Sequence, residues 1–121
     1  MRQKKEAAFE KRVKKHFRGL GYNVFHLAGP AGWPDLFIEN ALRNCRHIEL
    51  KSTRAKNWRG LFARNVFEPS QLVFPLTVSF PIWAMIETVE GVFEAILYIN
   101  AGDMQTARLD DLQWFPVEIH A

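Results

Sequence analysis

Gly32-Trp33-Pro34-Asp35-Leu36-Phe37-Ile38 and, further on, Ile48-Glu49-Leu50-Lys51 are the stretches on which the reading of this chain turns. Their aliphatic and aromatic runs predict short strands over Leu36 to Glu39 and Arg46 to Lys51, joined through residues 40–44. Strand side chains alternate, so Glu49 and Lys51 project from one face while Ile48 and Leu50 enter the core. Pairing of the two strands would bring Asp35 alongside Glu49. Carboxylates a few ångströms apart repel one another unless a cation lies between them. A hard divalent ion such as Mg²⁺, with Mn²⁺ as a substitute, takes oxygen ligands and keeps several waters. Lys51 beside such an ion would orient a water or face a phosphate oxygen. Taken singly, each piece has a plain structural explanation: an Asp after Pro in a turn, and an exposed Glu–Lys pair on a strand.

Working outward, Phe9, Val13 and Phe17 recur every four residues and predict a helix from Gln3 to Arg18, with Gly19 and Gly21 bracketing its end. Tyr22 to Leu27 predicts a strand, and Ala28-Gly29-Pro30-Ala31-Gly32 a turn. Residues 52–66 have no clean period and carry Arg54, Lys56, Arg59 and Arg64, which predicts a basic loop. Glu68-Pro69-Ser70 opens a helix whose regularity Pro75 limits. Ile82 to Glu87 and Val92 to Ile99 predict a hairpin turning at Glu90-Gly91, and Leu109 to Trp114 a short helical piece stopped by Pro116. The expected fold is α/β (or an α+β sandwich), with a mixed sheet flanked by helices.

The chain has 121 residues, of which 48% are hydrophobic and 24% charged, so residues 1–121 are expected to form one domain with an ordinary core. A single cysteine, Cys45, excludes an internal disulfide and a four-cysteine zinc site. The longest apolar stretch, Leu72 to Ile86, is broken by Pro75 and Pro81 and is shorter than the roughly 20 residues of a membrane span. The cationic N-terminus lacks the apolar run of a signal peptide. A cytoplasmic protein with no membrane partner is expected.

Charge is divided unevenly. Residues 1–64 hold 15 of the 16 Lys and Arg against 5 acids, a balance of +10, while residues 65–121 balance at −7. A cationic half suits a polyanion such as DNA, since cations that neutralise phosphates release condensed counterions; the alternative is a lysine-rich helix with a solvated face. Lys4, Lys5, Lys11 and Arg12 on the first helix and Arg54, Lys56, Arg59 and Arg64 in the loop are the expected phosphate contacts. Trp33, Trp58 and Phe62 lie among them, either as core residues or as platforms for exposed bases. His16, His26, His47 and His120 have no metal-ligand spacing; His47, on the face of Glu49 and Lys51, reads as structural, with a DNA contact as the alternative, and Cys45 as a small core residue.

Pro34-Asp35 and Glu49-Leu50-Lys51, with 14 residues from Asp35 to Glu49, resemble the two motif elements of the PD-(D/E)xK nuclease superfamily. Leu20-Gly21-Tyr22-Asn23-Val24-Phe25-His26-Leu27-Ala28-Gly29 resembles a segment of archaeal-type Holliday junction resolvases, although Pro30 stands where those enzymes usually carry a serine. The Gly-x-Pro-Asp form and Gln71 are similar to the VRR-NUC branch. The resemblance covers roughly residues 6–75. It implies a restriction-endonuclease-like fold and a Mg²⁺-dependent, structure-selective DNA endonuclease, with junction resolution as the first expectation. It also implies that Asp35, Glu49 and the Leu50 carbonyl hold the metal, that Lys51 positions the attacking water, and that Glu10 binds through water or a second ion. Gln71 would orient the site or touch the scissile phosphate. Glu6 lies one turn from Glu10 on the same helix face; Glu10 is preferred because it adjoins the buried stripe. Paired cuts on a junction imply a homodimer, with residues 73–83 serving as interface or core. The alternatives are a non-catalytic nucleic-acid-binding module of the same fold, or a nuclease subunit of a restriction or recombination complex that docks through its acidic half.

Overall fold

In the computed structural model, which describes residues 4–119, the four-residue spacing of Phe9, Val13 and Phe17 becomes the buried stripe of helix α1 (Lys4–Gly19). Gln3, the expected first helical residue, and His120 lie outside the described residues. Gly21, at φ +91°, turns the chain out of the helix so that the Tyr22 amide donates to the Phe17 carbonyl at 3.0 Å.

Six strands follow: β1 (Asn23–His26), β2 (Leu36–Glu39), β3 (Cys45–Ser52), β4 (Ile82–Thr88), β5 (Gly91–Ile96) and β6 (Phe115–Val117). They lie in the sheet in sequence order. Every neighbouring pair is antiparallel except β3 and β4, which run parallel and are connected through helix α2 (Pro69–Thr77). A parallel pair needs such a crossover, which places α2 on a sheet face. The result is a mixed α/β fold: a six-stranded sheet flanked by two helices.

Strand alternation divides the apolar residues between two layers. Ile48 and Leu50 of β3 join Leu36, Ile38, Met85 and the α1 stripe on one face. Ala84 and Ile86 of β4 join Leu72 of α2, Ala63, Phe67 and Leu109 on the other. Each fully buried Leu, Ile or Phe contributes about 1.5–3 kcal/mol through removal from water. The second layer is tied together by amide donation from Ala63 to Ala107 and from Leu109 to Leu61.

Three expectations are corrected. The tail forms only a 3₁₀ turn (Leu109–Asp111) followed by strand β6, in which Pro116 pairs with Phe93. Proline lacks a ladder donor and is tolerated because β6 is the sheet edge. The second hairpin strand ends at Ile96 rather than Ile99. Cys45 is exposed rather than core, because β3 begins ahead of its apolar run, beside Glu39. Among the described residues no helix is long and apolar enough to cross a membrane.

Candidate active site

The buried Pro34 delivers Asp35 to the end of β2, where the chain is pinned on both sides. The Asp35 amide donates to the Ile48 carbonyl at 2.9 Å, and its Oδ2 accepts from the Leu50 amide at 2.8 Å. The β2–β3 register begins with Leu36 against Ile48, and the bond from the Leu50 amide sets the Asp35 carboxylate on the backbone of β3 one residue from Glu49.

Glu49 points into the α2 layer and is 2% exposed. A charge that deep needs a partner. Gln71, in the first turn of α2, supplies one: its Nε2 donates to Glu49 Oε1 at 3.0 Å, while its Oε1 accepts from the Glu68 amide at 2.9 Å. The same side chain closes the helix end and fixes the carboxylate. The packing that permits this is tight. A Cβ on Gly32, at φ +94°, would meet the Ser70 carbonyl oxygen at 2.6 Å, so the loop before Asp35 lies directly on the start of α2.

Lys51 shares the face of Glu49 two residues along and is half-buried. It opens into a cleft of about 450 Å³ lined also by Glu6, Ser52, Arg64, Asn65, Glu68 and Pro69. Next to it, through Ser52, a second cleft is lined by Lys4, Lys5 and Arg54. Of the expected phosphate contacts, these three and Arg64 therefore border the clefts. Arg64 is also held, donating to the Gln105 carbonyl and lying over Phe62. Arg12 is paired with Glu87 of β4, which also accepts from Ser52 Oγ at 2.7 Å. Lys56 faces Glu90 at 4.0 Å, and Arg59 lies over Trp58 at 4.6 Å. Lys11 is exposed on α1.

Glu10 is not gathered with Asp35 and Glu49. Its carboxylate lies 3.4 Å from Lys14 Nζ and 3.6 Å from His26 Nδ1, and among the described residues no three His, Cys, Asp or Glu side chains form a group that could hold a metal ion. The donor set brought together is the carboxylates of Asp35, bonded to the Leu50 amide, and of the adjoining Glu49; of the site residues on β3 it is Lys51, two residues along, that opens into the cation-lined cleft. That set fits Mg²⁺ or Mn²⁺, which bind through one or two carboxylates and retain water. Sequence reasoning missed the cleft residues Ser52, Asn65 and Glu68; only Ser52, directly after Lys51, carried a signal.

His47, on the same face as Glu49, lies 4.8 Å from the Phe37 ring and 4.0 Å from the Phe80 ring. Burial penalises its charged form and lowers its pKa from the usual 6.5. The unfolded chain therefore binds more protons in acid, so this stability is present above pH 6.5 and is lost as pH falls below it. Thermal melts between pH 7 and 5 should show a steeper loss for the wild type than for His47→Phe; parallel curves would remove His47 as the cause.

Fold and geometry define a mixed α/β sheet in which Asp35 is bonded to the Leu50 amide beside Glu49 and Lys51 opens into a cationic cleft. In comparisons with known proteins, no protein-family model matches the chain and no curated protein matches it.

Proposed function

We propose that this chain is a divalent-metal-dependent DNA endonuclease with a restriction-endonuclease-like fold, acting on branched DNA as a homodimer in the manner of a Holliday junction resolvase. The observation that carries the reading is the Asp35 carboxylate bonded to the Leu50 amide beside Glu49, with Lys51 two residues along β3 at a cation-lined cleft. Asp35, Glu49 and the Leu50 carbonyl would hold Mg²⁺. The ion would stabilise phosphate charge and lower the pKa of water. Lys51 holds the attacking water and faces a phosphate oxygen. Gln71 keeps Glu49 in position. Lys4, Lys5, Arg54 and Arg64 receive neighbouring phosphates, and a reader of DNA shape needs no base contacts for this.

The test is incubation of the protein with labelled junction, flap, nicked and linear duplexes, with Mg²⁺ or EDTA. Cleavage confined to the Mg²⁺ samples and favouring branched DNA is expected. Binding without cleavage under any condition would select the non-catalytic module. Affinity should also fall with salt: for about 6–10 phosphate contacts, by a factor of order 10³–10⁵ between 50 and 200 mM. A flat titration would remove nucleic acid as the partner.

Glu10 is assigned a supporting role. It pairs with His26, and the Leu27 amide next to His26 donates to the Asp35 carbonyl at 2.9 Å. Loss of an outer positioning group costs about 10–100-fold, so Glu10→Gln should slow cleavage by that factor and Glu6→Gln by less than about threefold. The reverse ordering would move the role one turn along α1, to the acid that lines the Lys51 cleft.

A further inference from the structure

Of the three aromatic residues set among cations, two are committed elsewhere. Trp58 belongs to the second core layer, 6.1 Å from the Trp114 ring, and Phe62 has Arg64 and Arg108 over its ring at 4.5 and 4.8 Å. Trp33 differs. It is 44% exposed, whereas Trp58, Trp83 and Trp114 are less so. It is also held firmly. A Cβ on Gly29 would meet Trp33 Cγ at 2.5 Å, so the indole rests directly on the loop backbone. Behind it, the Phe74 ring of α2 lies at 5.2 Å.

Its position follows from the same loop. Two residues span at most about 7 Å, so Trp33 lies within that reach of Asp35. Gly32 abuts Ser70, and the next residue back, Pro69, lines the Lys51 cleft. A surface therefore runs from the cationic cleft, over the first turn of α2, to an exposed indole. A rigid exposed ring beside a groove that tracks a backbone is the arrangement that binds unpaired bases, since every base has a π-face to stack.

We infer that Trp33 stacks on an unpaired base next to the phosphate held at Asp35, Glu49 and Lys51, so that the preferred substrate has an unstacked nucleotide at the site. This rests on the nuclease reading for its placement, but its test does not need cleavage.

The experiment is equilibrium binding in EDTA of a duplex with a central three-nucleotide dT gap, against an intact duplex of equal length. Wild type should prefer the gapped duplex. Trp33→Ala should weaken gapped binding about 5- to 150-fold, the effect of losing one stacked base, and intact binding by less than threefold. Trp33→Phe, which keeps a ring, should retain most of the preference. Equal losses on both duplexes, or no loss on either, would overturn the inference. So would conversion of a dimer to a monomer by Trp33→Ala in sedimentation, because the indole would then face a second copy. Wild type that binds neither duplex overturns the nucleic-acid reading and this inference with it. Selective gapped binding with no cleavage in Mg²⁺ would sink the nuclease reading alone and leave the stacking role standing.

Discussion

Alanine at Asp35 or Glu49 is expected to abolish Mg²⁺-dependent cleavage while DNA binding in EDTA persists. The Asp35 carboxylate is held at the Leu50 amide and the adjoining Glu49 carboxylate by Gln71, so each is fixed in place as a candidate ligand. Loss of one preorganised electrostatic group costs about 10²–10³ in rate, and loss of a ligand that also retains the ion should exceed that. Each variant needs a structural control. Asp35→Ala leaves the Leu50 amide without its acceptor, at about 1–3 kcal/mol for an unsatisfied buried donor. Glu49→Ala likewise strands Gln71 Nε2. Asp35→Asn and Glu49→Gln keep a carbonyl oxygen in each place, so they should fold like the wild type and still fail to cleave. Their DNA affinity should hold or rise, since a negative charge has been removed. Cleavage at the wild-type rate in either amide variant would sink the metal-site assignment.

Why the face of Glu49 and Lys51 followed from strand alternation while Gln71 entered only through the family resemblance is a matter of range. Strand alternation sets the faces of Glu49, Lys51, Ile48 and Leu50 within a few residues, and a short connection makes β2–β3 pairing the expected outcome. The reach of Gln71 to Glu49 depends instead on where a crossover helix lands on the sheet. That is decided by the packing of Gly32 on Ser70, a contact with no periodic signature. Arg12 looked like a free cation because its partner, Glu87, is 75 residues away. Trp58 sat among basic residues in sequence, yet its indole is taken up by Trp114 and Phe93 from the far end of the sheet. Strand β6 was obscured by Pro116, which ordinarily argues against a strand and is admitted here only at an edge.

Lys51→Ala is expected to cut the cleavage rate by about 10²–10³, the cost of removing one aimed charge from a reacting centre, while changing DNA affinity in EDTA by less than threefold. The separation follows from position. Lys51 stands two residues from Glu49 on the same face of β3 and lines the cleft. Its ammonium is therefore directed at the cleft, where a phosphate and the attacking water would meet. For binding, by contrast, it is one cation among Lys4, Lys5, Arg54 and Arg64 around adjoining clefts. Lys51→Arg distinguishes charge from shape. A guanidinium keeps the charge but is a broad planar fork that stays protonated, so it should preserve affinity and the salt slope while restoring little of the rate. Full rescue by arginine would mean that positive charge alone suffices. Affinity lost in step with activity, with a salt slope lower by about one, would make Lys51 a phosphate contact and leave the chemistry to the two carboxylates.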